Sequence, residues 1–155
     1  MSLSFFVPGV PRGRAHTRGF YNKALGRVMN VPQQSGEQVG WFVAVREAGA
    51  LALQSGSWEK VESGALSVRL DFIVPRPGQF YWKTAHAEPR CYRGIDVDNL
   101  AKAFLDCLNG VLFRDDAQIA HLAVGKRYSR PGECCGCQAE LRELGAWYPE
   151  MVPPP

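Results

Sequence analysis

The chain reads as an α+β protein: a mixed β-sheet with helices packed on one face, a two-layer α/β sandwich. Period-two alternation over residues 66–74 predicts a half-buried strand, and apolar residues at helical spacing predict two helices. The order strand, helix, strand, helix, then two strands completes the pattern. With 155 residues, 46% hydrophobic and 21% charged, the composition is that of one compact domain and excludes disorder, collagen and coiled coil. That domain is assigned to residues 1–150, with 151–155 as a disordered C-terminal tail. A chain of this size buries roughly 68–70% of its unfolded surface and needs no disulfide or metal staple.

Residues 3–7 are a short apolar run closed by Pro8 and Gly9, which predicts a first strand. From Arg12 to Arg27, glycines and the aromatics Phe20 and Tyr21 interleave with basic residues, suiting a loop or hairpin that lies on phosphates. Residues 33–54 contain no proline, and after Ser35, a good N-cap, Val39, Phe42, Val43, Arg46, Ala50 and Leu53 recur near helical spacing and mark the expected inner stripe of a long helix. Over 66–74, Leu66, Val68, Leu70, Phe72 and Val74 alternate with Ser67, Arg69, Asp71 and Ile73, and Pro75 ends the strand. Residues 75–95 have no clear periodicity, and loops of this length inside a compact domain are usually functional or mobile. A second helix starts at Asp98 or Asn99, with Asp98 as the expected cap and Leu100, Phe104, Cys107, Leu108 and Val111 as its apolar stripe. Residues 117–128 and 136–144 read as two strands of a terminal hairpin, joined by SRPGECCG.

The net charge of +3 is unevenly distributed. Arg12, Arg14, Arg18, Lys23 and Arg27 precede the first acid, Glu37, and the remaining 119 residues carry about −2. A basic, glycine-rich stretch beside a nearly neutral body suits a polyanionic partner, nucleic acid first and a membrane surface second. In the long loop, Lys83, Arg90 and Arg93 stand among Phe80, Tyr81, Trp82 and Tyr92, a combination that can pair with phosphates while rings stack on unpaired bases. The blander alternatives are a solvated basic loop and a lid whose rings are buried.

Five cysteines, at 91, 107, 134, 135 and 137, form no regular secreted framework, so a reducing, cytoplasmic setting is expected. The opening MSLSFFVPGVPR has no charged region before its apolar run and does not read as a signal peptide. No apolar stretch approaches the roughly 20 residues of a membrane-spanning helix. Zinc binding by Cys91, Cys134, Cys135 and Cys137 is disfavoured because adjacent cysteines at 134 and 135 fit paired ligand spacing poorly. Of the histidines, His16 can touch phosphate, His86 falls in the long loop and His121 lies within a strand; none has a nameable partner.

The densest chemical cluster is Asp96, Asp98 and Asn99, followed by Lys102 and then Asp115 and Asp116. On extended chain, i, i+2 spacing aims Asp96 and Asp98 to one side, and two such carboxylates are best relieved by a divalent cation. All-oxygen ligands favour Mg²⁺, with Mn²⁺ as a substitute, over zinc. A third carboxylate from 115–116 can join only if the chain returns after a helix roughly 16 Å long. Lys102 points away from the apolar stripe and can reach a scissile phosphate; the alternative is a solvated ladder of Asp98, Lys102 and Asp106. Acids gathered beside two basic, aromatic segments suit an enzyme that hydrolyses a polyanion.

The run DVDNLAKAFLDCLNGVLFRDDAQI at 96–119 resembles the signature of RusA-type Holliday junction resolvases. Asp-x-Asp-Asn opens a helix, a lysine follows four residues after the second Asp, and Asp-Asp-x-Gln comes one helix later. VPGVPRGRAHTR is similar, more loosely, to the family's basic entry segment. The resemblance implies a RusA-like fold and a homodimeric, Mg²⁺-dependent endonuclease that nicks four-way DNA junctions symmetrically. It also implies Asp96, Asp98 and Asp116 as metal ligands, Lys102 as the essential lysine, and Asp115 as a supporting or substitute group. A two-fold dimer suits a four-way junction, itself roughly two-fold. The long 75–95 loop and ECCGC at 133–137 depart from the compact family pattern. The competing readings are a DNA-binding protein without cleavage and a zinc-stabilised interaction protein.

Overall fold

A computed structural model describes residues 1–15, 17–32, 34–56, 58–77 and 94–145, with the side chains of 17, 18, 31 and 32 outside the description. Among the described residues there are six strands and two helices: β1 (Ser2–Pro8), β2 (Thr17–Asn22), β3 (Arg27–Pro32), α1 (Gly36–Gln54), β4 (Ala65–Val74), α2 (Val97–Leu108), β5 (Ile119–Tyr128) and β6 (Gly136–Leu144). The architecture is α+β. Four strands form a mixed sheet in the order β1-β6-β4-β5, and β2 and β3 form a separate two-stranded sheet.

The alternation predicted for β4 is observed: Leu66, Val68, Leu70 and Phe72 are buried on one face, beside Cys137, Ala139 and Leu141 of β6 and Leu3 and Val7 of β1. Trp41 and Val45 of α1 and Leu100, Phe104 and Leu108 of α2 join the same cluster, so both helices cover that face. Phe104 anchors the junction of the layers, with its ring 5.9 Å from Phe72 and 6.4 Å from Trp41 between centroids. Trp58 closes one end of the core, donating its indole N–H to the Leu112 carbonyl at 3.1 Å.

Three expectations are corrected. Residues 117–128 and 136–144 do not form a hairpin. β5 runs parallel to one edge of β4, and β6 pairs antiparallel with the other. Strand β4 is buried on its helix-facing side and takes a partner on each edge, so the 129–135 connection must cross the end of β4. Ser129 N–H donates to the Val74 carbonyl at 2.8 Å on the way. Because β4 and β5 are parallel neighbours, α2 is the crossover element between them.

The inner face of α1 is also rotated from the expected stripe. Trp41, Val45 and Gly49, an i, i+4 row, are buried, whereas Val39 and Val43 are exposed. Gly49 explains the choice: a Cβ there would lie 2.6 Å from Leu108 Cδ2, so the glycine lets α1 and α2 approach closely. Ser35 does cap α1, in a capping box with Gln38.

Finally, the N-cap of α2 is Asp96, and Asp98 sits inside the first turn. The stripe of α2 is otherwise as expected, with Leu100, Phe104 and Leu108 buried and Cys107 half-buried.

The basic segment forms a hairpin, as its sequence suggests. Its turn is built by Asn22, whose side-chain oxygen accepts from the Ala24 and Leu25 N–H groups, and by Gly26 at φ 58°. Phe20, Tyr21, Leu25 and Val28 are exposed on this two-stranded arm.

Candidate active site

Helix α2 starts where the parallel strands β4 and β5 end, the edge at which open sheets with crossover helices commonly bind ligands. The turn before it is tied to the sheet: Lys126 of β5 donates Nζ–H to the Ile95 carbonyl at 2.7 Å. Asp96 and Asp98 follow, both exposed. They lie at the positive end of the helix dipole. They stand as cap and second helical residue, so the two are not both on extended chain.

The segment 12–14 is clamped against this helix end. Asn99 Oδ1 accepts from the Arg14 N–H at 2.9 Å, and Gln38 Nε2 donates to the Gly13 carbonyl at 3.1 Å. Gly13 permits this close approach, because a Cβ would lie 2.8 Å from the Asn99 amide. The result is a cleft of about 480 Å³ bordered by Arg12, Arg14, Gln38, Asp96 and Asn99. Asn99 and Gln38 carry no functional assignment from the sequence alone; the Asn of the Asp-x-Asp-Asn run is the available signal.

Arg12 pairs with Glu37, and Arg14 pairs with Asp106, through Nε at 2.6 Å as well as Nη2. Both pairs are largely solvent-accessible, and exposed pairs contribute little, so an arriving phosphate can take either guanidinium. Lys102 is exposed one turn beyond Asp98. The ion pairs among the described residues do not join it to Asp98 or Asp106, so the solvated ladder is not formed.

Asp115 and Asp116 lie at the opposite end of α2. Arg114 N–H donates to the Val61 carbonyl, and Gln118 Nε2 to the Gly64 carbonyl at 3.3 Å, which fixes this turn beside the start of β4. The two aspartates have different work. Asp115 Oδ1 accepts from the Ala117 N–H at 2.9 Å, and Gln118 Oε1 accepts from the Asp115 N–H at 3.0 Å, a reciprocal cap on a short 3₁₀ turn at Asp116–Gln118. Asp116 is exposed and takes no part in that cap.

The return path that would bring the third carboxylate back beside Asp96 is therefore absent within one chain. A helix of 12 residues spans about 18 Å, and the two acidic ends sit at its opposite extremities. Among the described residues, no three His, Cys, Asp or Glu side chains cluster as a metal site.

A family model described as endodeoxyribonuclease RusA matches residues 38–133. The chain belongs to the RusA endodeoxyribonuclease family. Membership indicates a hydrolase of DNA, and the matched stretch runs through α1, β4, α2 and both acidic ends. A comparison with curated proteins gives no match.

The remaining expected DNA-binding residues of this family member are less central. Lys23 and Arg27 are exposed on the hairpin, and Arg18 lies in β2 with its side chain outside the description. Lys83, Arg90, Arg93, His16, His86, Cys91 and the 151–155 tail fall outside the described residues. Cys137 is buried, and burial drives its thiol well above the ordinary range; burial and the neighbouring Asp106 raise Cys107 to about 11. Both are inert packing residues. His121 Nδ1 hydrogen-bonds Ser67 Oγ at 2.9 Å on the sheet. No helix among the described residues is long and apolar enough to cross a membrane.

Proposed function

We propose that this protein, with residues 1–150 as one catalytic domain, is a Mg²⁺-dependent endonuclease that resolves four-way DNA junctions by paired symmetric hydrolysis. It acts as a homodimer on branched DNA in the cytoplasm, in recombination and repair. The observation that carries the reading is the family match over 38–133, which spans both exposed acidic ends of α2.

The donor set suits a hard cation, since Asp96, Asp98 and Asp116 offer only carboxylate oxygens. Their separation along α2 means that one chain supplies two ligands at one end and one at the other. A two-fold axis perpendicular to α2 runs the partner's helix in the opposite direction, an arrangement that can set Asp96 and Asp98 of one subunit beside Asp116 of the partner subunit and give the dimer two such sites. Mg²⁺ bound there supplies positive charge that activates water and stabilises the phosphate in its transition state.

The protein's own groups do the rest. Lys102, one turn from Asp98, faces the phosphate held by that end and neutralises charge developing on its oxygens. Asn99 and Gln38 hold the backbone of 12–14 beside the cleft, so Arg12 and Arg14 can exchange Glu37 and Asp106 for DNA phosphates. Lys23 and Arg27, with Arg18, extend the phosphate-binding surface along the hairpin, and Lys83, Arg90 and Arg93 add that of the long loop. Asp115 shapes the turn that presents Asp116.

The test uses a labelled immobile four-way junction and a matched linear duplex, each with Mg²⁺ or EDTA, resolved on a denaturing gel. Paired nicks in the junction alone, present only with Mg²⁺, are expected. Junction binding without cleavage in Mg²⁺ would overturn the reading in favour of a non-catalytic DNA-binding protein.

A further inference from the structure

The cleft beside Asp96 has a neighbour. Arg12, Gly94 and Ile95, which border that cleft, also line a second cavity of about 310 Å³ at the ends of β4 and β5. Gly94 has φ 87°, and a Cβ added there would meet nothing within 4 Å, so this part of the shared wall is bare backbone beside open space.

The two spaces differ in chemistry. The first is bordered by the Asp96 carboxylate and the amides of Gln38 and Asn99. The second has walls of carbon, from Val10, Pro11, Val74, Pro75 and Pro77, together with Tyr128. Among the described residues that line it there is no acid, and its two charged members, Arg12 and Lys126, are both cations. Val10 is 40% exposed and Ile95 36%, so apolar surface is left facing solvent at the edge of a charged cleft. Apolar walls with a few polar groups at the rim are the usual make-up of a ligand pocket.

The second cavity is also held in shape. Its three prolines restrict the backbone. The Ser129 N–H bond to the Val74 carbonyl ties the ends of β4 and β5 together, and Arg76 Nε donates to the Ser129 carbonyl at 3.2 Å. Gly9 N–H donates to the Cys135 carbonyl at 3.0 Å, which fixes the chain just before Val10, and Lys126 holds the Ile95 carbonyl on the opposite wall. The larger cavity between α1 and α2, about 580 Å³, is differently placed: it is lined by Asp106 and by none of Gly94, Ile95 and Asp96.

A nucleotide joins these two chemistries at short range, an anionic phosphate linked through a sugar to a base with flat, weakly polar faces. We propose that the second cavity takes a nucleobase unstacked from the DNA, with its phosphate at Arg12 beside the Asp96 cleft. The proposal rests on the DNA-cleaving reading above and adds to it a base subsite built by Val10, Pro11 and Tyr128. Unstacking costs least where pairing is already interrupted, as at a branch point. Carbon walls recognise the faces of a base rather than its edge, so the subsite tolerates different bases.

The experiment uses four-way junctions carrying 5-iododeoxyuridine at single positions around the branch point. Each is bound by saturating full-length protein in EDTA and irradiated, and the adducts are located by peptide mapping. One position is expected to crosslink to residues 10–12 or to Tyr128. Val10→Trp, which fills the cavity from an exposed position, should lower that crosslink about tenfold or more. Val43→Trp, an exposed position in the larger cavity, should leave it unchanged, and circular dichroism checks each fold. A second measurement needs no variant: at the crosslinked position, wild-type protein should bind a junction with an unpaired base about fivefold or more tightly than one with an abasic site, since neither has a pair to break. Absence of crosslinks at 10–12 and 128, or equal binding of the unpaired and abasic junctions, would overturn the base subsite, while Mg²⁺-dependent cleavage by the same protein would leave the nuclease reading intact. Crosslinks at 10–12 or 128 in a protein that does not cleave with Mg²⁺ would support the subsite and overturn the nuclease reading.

Discussion

The two ends of α2 carry acids of the same kind in differently built frames. At the N-terminal end, Asp96 borders a cleft, with Asp98 in the helical turn beside it, and the cleft's wall is tied on by side chains from three elements: Asn99 to Arg14, Gln38 to Gly13 and Lys126 to Ile95. At the C-terminal end, Asp116 sits on a turn held by Gln118, which accepts from the Arg114 and Asp115 N–H groups and donates to Gly64, by Asp115, which accepts from the Ala117 N–H, and by the Arg114 N–H bond to Val61. Both frames join distant parts of the chain, but the first uses side chains from α1, α2 and β5 whereas the second rests on Gln118 and on the backbone of 61–64. The N-terminal end thus offers a cleft between segments, and the other presents Asp116 on an exposed turn. Helix α2 serves as the spacer between them.

Removing the acids themselves should have the largest effect. Asp96→Asn or Asp116→Asn is expected to reduce junction cleavage by roughly 10³-fold or more, while junction binding in EDTA is kept or tightened because a charge that repels phosphate is gone. Single-turnover cleavage and gel-shift titration measure the two quantities; cleavage near the wild-type rate in both variants would remove these carboxylates from the site.

The frames should then separate by what they break. Gln118→Ala removes three hydrogen bonds from the C-terminal turn and should lower stability by about 1–2 kcal/mol in urea unfolding. Asn99→Ala removes one bond, at a cost of about 1 kcal/mol or less, yet should weaken junction affinity more than Gln118→Ala because the 12–14 segment is released. Equal affinity losses in the two variants would contradict the difference drawn between the two ends.

A third contrast sets the hairpin against both ends. Reversing Lys23 and Arg27 to Glu should weaken junction binding and flatten its salt dependence, by about 0.9 in the log–log slope for each phosphate no longer neutralised, without changing the cleavage rate of bound DNA. An unchanged slope would detach the arm from the DNA.

The smallest effect belongs to the connection between β5 and β6. The Arg127 hydrogen bonds lower the Glu133 carboxyl to about 2 from 4.5, so its contribution to stability is present above pH 4.5 and lost as pH falls toward 2. With both side chains partly solvated, Glu133→Gln should cost only about 0.5 kcal/mol at neutral pH, and thermal melts should show that difference vanishing in acid.

Much of the fold is legible in the residues. The alternation of β4 and the stripe of α2 each follow from one periodicity and one buried face, and the acidic run with its lysine points to the family. Strand order is not legible, because the β5 and β6 sequences fit either a hairpin or two separate partners of β4; only the crossing of the 129–135 connection decides. The α1 face departs from the expected stripe because counting large aliphatic residues overlooks Gly49, whose lack of a side chain is what seats Leu108. The length of α2 is readable from its sequence. That the chain fails to return along it is not, since it depends on β5 being parallel to β4.

Subunit complementation tests the central claim most directly. Asp96→Asn and Asp116→Asn chains, each inactive alone, are refolded together and assayed on the four-way junction. If each site draws Asp96 from one subunit and Asp116 from the other, the mixed dimer contains one intact site, and single nicks should return in Mg²⁺. If both aspartates serve the same chain's site, every site in the mixture lacks one of them, and the mixture should stay as inactive as its components.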